Sequence, residues 1–230
     1  MVKNQKGAIP IIAGCAVISC AFLAILMIML VAVGSFSFFG DKGESEATTD
    51  SSINIDCNQT KIPKEIMERI NQNASIYQSS AKKSNIPWEI IAAVHYREAS
   101  NDPNRSVLSG EKLGTKNPDS GKVYNTLQES SDGAAEHLKT MVKSVYKFDL
   151  SASSDDNVIK HAFLAYDRGS MYKKHGCSVD ESPYVMNQFD EAHKNMRWPN
   201  SECEPKSTRG KVNTPLGAFT VFKILKDCQK

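Results

Sequence analysis

The chain has no surplus of either charge: 28 Lys and Arg stand against 26 Asp and Glu, a formal net of +2. Such a balance offers no broad positive field to phosphates, so no nucleic acid partner is expected. Cysteine is scarce, with 6 in 230 residues, and the cysteines and histidines do not stand at the spacing of a zinc finger or ribbon. No metal and no cofactor is therefore expected, with a Cys/His site near His175–Cys177 and His193–Cys203 as the alternative. The alternation of apolar and polar residues that marks half-buried strands is nearly missing, and no internal repeat is present. One further absence is local: between Lys6 and Asp41 there is no charged residue at all.

That uncharged stretch is the first thing present. Its densest part, Ile11 to Val33, reads IIAGCAVISCAFLAILMIMLVAV. As a helix rising about 1.5 Å per residue it reaches roughly 34 Å, enough for a hydrocarbon layer of about 30 Å. A cleaved signal peptide is the competing reading, but its apolar region would be about 7–15 residues before a small-residue cleavage site. Lys3 and Lys6 precede the run while Asp41, Glu44 and Glu46 follow it, which places the N-terminus inside the cell. The expected organisation is a cytoplasmic start over residues 1–7, a transmembrane anchor over 8–40, a polar linker over 41–60 and one extracytoplasmic domain over 61–230. Four cysteines then lie outside the membrane, Cys57, Cys177, Cys203 and Cys228. In an exported domain these predict two disulfides, with three pairings left open.

The domain reads as all-α. Pro63 opens a segment with Ile66, Met67, Ile70 and Ala74 on one side, and Asn85 with Pro87 introduces PWEIIAAVHYREAS. Residues 101–127 form a long polar connection with Pro103, Gly110, Gly114, Pro118 and Gly121, a length that marks a functional or a disordered loop. Ser131 or Asp132 can cap a helix to about Tyr146, and Asp155 or Asp156 can cap NVIKHAFLAYDRG. Pro183 begins a shorter helix to about Asn195, and Thr214 with Pro215 the last one.

On the helix that starts at Pro87, Ile91, Val94 and Glu98 share a face, so Glu98 sits where the apolar stripe continues. Partial burial and the negative end of the helix dipole both favour the protonated acid there, the form that can protonate a glycosidic oxygen. The plainer alternative is a helix-end ion pair with Arg97 or another cation.

The wording around Glu98 decides between them. Residues 86–100, IPWEIIAAVHYREAS, resemble the helix of lysozyme-like muramidases and lytic transglycosylases, whose phage- and bacterial-type group reads like W-E-L-I-A-A-I-H-Y-R-E-S. Three weaker blocks follow in order: Leu127-Gln128-Glu129-Ser130-Ser131 is similar to that family's second helix start, Ala165-Tyr166-Asp167-Arg168-Gly169 to its A-Y-N-G step, and Ser182-Pro183-Tyr184-Val185 to its S-P-Y-V element. Together they cover roughly residues 62–226.

The resemblance implies a lysozyme-like helical domain of about six helices with a long loop over a sugar cleft. It implies cleavage of the MurNAc–GlcNAc β-1,4 bond of peptidoglycan glycan strands, with Glu98 as general acid and then base. Tyr166 and Tyr184 are the expected sugar contacts, since aromatic faces suit sugar rings. Tyr96 is expected at the border of the cleft, and Ser100 as a hydrogen-bond partner of the Glu98 carboxyl or a mere helix cap. Two departures matter. No G-L-M-Q element follows Glu98, and position 167 is Asp where the family has Asn, which adds a second carboxylate. One carboxylate implies attack by the muramyl 6-hydroxyl and an anhydro product, the course favoured here; a second at roughly 6.5–9.5 Å permits activation of water and hydrolysis. A catalytically silent wall-binding or scaffold protein is the alternative reading. An anchored enzyme of this kind suits local wall opening for a secretion or conjugation assembly.

Overall fold

A computed structural model describes residues 61–117, 120–196, 203 and 215–228. The chain divides into two units, Met1–Ser51 and Ser52–Lys230, and every described residue belongs to the second. The expected cytoplasmic start, anchor and linker, with Cys57, lie outside the described residues. Among the described residues no helix is long and apolar enough to cross a membrane.

The second unit is all-α. The described residues contain six α-helices, one short 3-10 turn and two isolated β-bridges, but no strand. Helix α1, Lys64–Ser84, buries Ile66, Ile70, Asn73, Tyr77, Ser80 and Ala81, spaced so that they stack along one stripe. It ends at Asn85 in the left-handed region, φ 53°, where the asparagine side chain tolerates a turn that most residues resist. Helix α2, Trp88–Ala99, is different in kind, since everything from Ile90 to Tyr96 is buried. A helix apolar all round belongs in the middle of a domain, and α2 packs against both α1 and the last helix, α6, Ala218–Asp227.

Helix α3, Leu127–Tyr146, lies against α1 and against α4, Asp156–Lys174. The start of α3 differs from the sequence expectation of Ser131 or Asp132. Thr126 is the cap, its side chain accepting from the Glu129 N–H, while Glu129 Oε2 accepts from the Asn125 N–H at 2.8 Å. The Thr126 bond satisfies an orphan helix donor one turn earlier, the Glu129 carboxylate fixes the entering backbone at Asn125, and Ser130 and Ser131 are left buried inside the helix. Asp155 caps α4 as expected, but α4 runs on past Gly169, broken at Arg168 where φ is −154° and ψ 40°. Helix α5, Pro183–Met186, stops after 4 residues, far short of Asn195, because Asn187 turns away, its amide donating to the Pro215 carbonyl at 2.6 Å and its carbonyl accepting from the Thr220 hydroxyl at 2.9 Å. The last helix begins at Ala218, after Gly217, whose N–H donates to the Asn187 carbonyl at 2.8 Å. Phe163, Phe189, Phe219 and Phe222 close the core between α4, the α5 region and α6.

Cys177 and Cys203 form a disulfide, one of the pairings left open among the four cysteines. Cys228 is disulfide-bonded as well.

A buried polar network ties α1 to the end of α2. Asn101 Nδ2 donates to the Ala92 carbonyl at 3.0 Å and to the Tyr77 hydroxyl at 3.2 Å, and Asn73 Nδ2 donates to the same hydroxyl at 3.3 Å. With its oxygen accepting from both amides, Tyr77 gives its one proton to His95 Nδ1, 2.7 Å away. His95 is therefore neutral, and burial pulls its pKa from the ordinary 6.5 to about 4, the backbone of Arg105 and Asp102 opposing this a little. The sign of the consequence follows from linkage. A folded-state pKa below the unfolded one contributes stability above pH 6.5 that is lost as pH falls towards about 4. Urea unfolding at pH 7 and pH 4 should differ by about 3 kcal/mol from this group, and His95→Gln should flatten that slope.

Candidate active site

The network has a geometric purpose: it fixes how the chain leaves the Glu98 helix. Ser100 and Asn101 both take positive φ, 51° and 57°, and the chain turns back into the 101–126 connection. That connection is not irregular throughout. Bridges pair Arg105 with Lys112 and Lys116 with Val123, so it folds into two small hairpin-like turns. Gly110 at φ 72° lies directly on the Glu98 backbone, where a Cβ would stand 2.2 Å from the Glu98 carbonyl oxygen. Arg105 clamps the same turn by donating to the Gly110 carbonyl at 2.8 Å.

Between this connection and helices α2, α3 and α4 lies a cavity of about 250 Å³. Glu98 reaches it from α2, Leu108, Ser109 and Ser120 from the connection, His137 from α3, and Tyr166 and Asp167 from α4. Glu98 is half-buried, neither in bulk solvent nor sealed in the core. The hydroxyl of Tyr184, on α5, donates to Glu98 Oε1 at 2.8 Å. Tyr184 is itself buried and stacks on Tyr166 with ring centres 6.5 Å apart. Burial raises its pKa well above the ordinary 10.0, with the charges of Glu98 and Tyr166 adding to it, so it remains a donor. Arg97 lies over the Tyr184 ring at 4.7 Å and donates to the Leu216 carbonyl at 3.0 Å. The cation beside Glu98 thus ties α2 to the chain leading into α6 and steadies the ring that holds the carboxyl.

Asp167 supplies a second carboxyl to the cavity. Burial raises its pKa, while the Tyr172 hydroxyl, donating to Oδ2 at 3.0 Å, works in the other direction. The break at Arg168 allows this, because it re-aims α4 immediately after Asp167 and returns Tyr172 towards it. Tyr166 lines the cavity with its ring and donates its hydroxyl to the Leu108 carbonyl, fastening the connection to α4.

The structure thus brings Glu98, Asp167, Tyr166 and Tyr184 together and leaves two expected residues apart. Tyr96 uses its hydroxyl to accept from the Leu216 N–H at 3.3 Å and is buried among core residues, so it supports α6 rather than bordering the cavity. Ser100 is exposed at the helix cap, its carbonyl accepting from Arg69, and does not line the cavity. The sequence reading missed His137, whose ring stands edge-on to Tyr166 at 5.3 Å, and the polar wall around Ser109 and Ser120. No signal in the sequence singles out His137; the wall lay in a connection whose length alone hinted at a role.

That wall is organised by Glu111. Its carboxylate accepts from Ser109 and, at 3.0 Å, from Asn117. Burial alone would push the Glu111 carboxyl up, but these hydrogen bonds outweigh it and hold the group below its ordinary range. A larger cavity of about 390 Å³ lies at the other end of α2, lined by Gln78, Lys82, Trp88, Glu89 and Lys226 among others. It offers a single carboxylate beside two cations, a poor arrangement for acid–base work, so the smaller cavity is the stronger candidate. Among the described residues no group of three His, Cys, Asp or Glu side chains is placed to hold a metal ion. Compared with known protein families, with curated proteins and with solved structures, the chain finds no match in any of the three.

Proposed function

We propose that this protein is a peptidoglycan-cleaving enzyme, a lytic transglycosylase acting on the MurNAc–GlcNAc β-1,4 bond, with a lysozyme-like helical domain. The observation that carries the reading is the placement of Glu98: half-buried in the cavity wall, held at Oε1 by Tyr184, beside a second carboxyl from Asp167. In this reading Glu98 gives its proton to the glycosidic oxygen as the C1–O bond breaks. The resulting carboxylate then takes the proton of the muramyl 6-hydroxyl as that oxygen attacks C1, which closes an anhydro ring and restores the acid. Tyr166 lines the cavity and suits the apolar face of a sugar ring, while Tyr184, expected as a second sugar contact, is buried behind it and acts on Glu98 instead. Asp167, half-buried and hydrogen-bonded by Tyr172, orients the sugar. The same reading has residues 8–40 tether the domain outside the cytoplasmic membrane, where it serves a secretion or conjugation assembly.

Digestion of purified sacculi by the detergent-solubilised full chain tests this. The expected products carry anhydro ends, lighter by one water than hydrolysed ones. Hydrated ends would assign water activation to Asp167, and binding without release would leave the wall-binding scaffold in place of the enzyme.

Tyr184→Phe separates the hydroxyl from the ring. The variant keeps the stack on Tyr166 and the Arg97 contact but loses the hydrogen bond to Glu98, so kcat should fall by about tenfold with KM little changed. Steady-state release of muropeptides reads this directly.

A further inference from the structure

Four side chains of the 101–126 connection form a hydrogen-bond chain whose direction is fixed at both ends. At one end the Ser120 N–H points at Asn117 Oδ1, 2.7 Å away, which makes that atom the amide oxygen. The Asn117 nitrogen therefore faces the other way, donating to Glu111 Oε1 at 3.0 Å and to Ser109 Oγ. At the other end a carboxylate has no proton to give, so the Ser109 hydroxyl proton is committed to Glu111 Oε2. Ser120 Oγ in turn donates to Asn117 Oδ1 at 2.9 Å and accepts from the Lys122 N–H at 3.3 Å. Asn117, the middle of the relay, is only 1% exposed, so bulk water does not scramble it. Both serines have used their only proton inside the chain, and what each retains is acceptor capacity. Both also line the cavity that holds Glu98 and Asp167.

We infer that Glu111 polarises this wall of the cleft, making Ser109 and Ser120 acceptors for the acetamido N–H of an amino sugar. Glu111 is thus the residue that positions the specificity contacts of the site. The inference rests on the saccharide reading given above. A sugar hydroxyl can donate or accept and so gains little from a wall of fixed polarity. An amide N–H can only donate, and the acyl methyl attached to the same group suits the apolar flank of Leu108 and Tyr166. Asp167 and Glu98 complete the cavity but lie outside this relay.

The test uses the full chain in detergent carrying Glu98→Gln, so that no ligand is cut, titrated calorimetrically with the hexamer of N-acetylglucosamine and with cellohexaose. The same titrations are run with Glu111→Gln added, whose amide donates to Ser109 and frees the serine proton towards the cavity, and separately with Ser120→Ala added. Expected are a preference for the N-acetylated hexamer in the parent and a loss of about tenfold for that hexamer with Glu111→Gln, cellohexaose binding being unchanged. Ser120→Ala moves the preference the same way by less, and since Ser120 is exposed it decides the matter if Glu111→Gln fails to fold. Equal weakening for both sugars, or an unchanged preference, would overturn the inference while leaving the saccharide reading intact. Absence of binding by the parent to either hexamer would remove the saccharide reading itself.

Discussion

Glu98→Gln should lower glycan cleavage by roughly 10²–10⁴-fold, the range that removal of a general acid costs. Glutamine has nearly the shape of glutamate, and its amide oxygen can still accept from the Tyr184 hydroxyl that now lies 2.8 Å from Oε1. What it lacks is a transferable proton. Because Glu98 is half-buried at the end of α2, the exchange leaves the core of that helix, Ile90 to Tyr96, untouched. Loss of activity with unchanged thermal unfolding is the expected pair of results. Release of muropeptides from sacculi at the wild-type rate would remove Glu98 from the chemistry.

Gly110→Ala is expected to damage both fold and turnover. At φ 72° a Cβ costs about 1–2 kcal/mol from backbone sterics alone. Here it would also stand 2.2 Å from the Glu98 carbonyl oxygen, a separation that only a backbone shift can relieve. The shift must be taken up by the end of α2, which moves the Glu98 carboxyl relative to Tyr184, or by the turn held by Arg105, which moves Leu108 and Ser109 in the cavity wall facing it. Gly114→Ala is the control, since φ is 81° there but a Cβ would meet nothing within 4 Å. Gly114→Ala should lower the melting temperature by roughly 2–4 °C per kcal/mol and leave kcat near wild type. Gly110→Ala should lower it further and reduce kcat as well. Equal behaviour of the two variants would mean that the close approach at Gly110 does not position Glu98.

Where the sequence spoke clearly, it spoke through periodicity and side-chain chemistry. Ile66 and Ile70 of α1, Ile91 and Val94 of α2 and the Asp155 cap appear in the structure as read, whereas Met67 and Ala74 are only half-buried and α2 is buried on all sides from Ile90 to Tyr96. The carboxyl of Glu98 lies in a cavity wall because a stripe spaced by three and four carries it there. Start signals were less decisive where caps competed: Ser131 and Asp132 have capping side chains, yet Thr126 caps the helix earlier, with Glu129 accepting from the Asn125 N–H. Asp132 instead accepts from Ser80 and Lys83 of α1. Tertiary partners of that sort leave no trace in local sequence. Tyr96 follows the same rule, since only the approach of Leu216, 120 positions later, decides which way its hydroxyl turns. The polar wall was illegible for a related reason: its polarity comes from four side chains meeting across two turns, not from any spacing along the chain.

The bond between Cys177 and Cys203 encloses the segment that carries Tyr184. A protease that nicks the backbone anywhere inside that ring cannot release either fragment while the sulfurs remain joined. The aromatic support of Glu98 therefore stays attached through such a cut, and it is lost only when cleavage and reduction occur together.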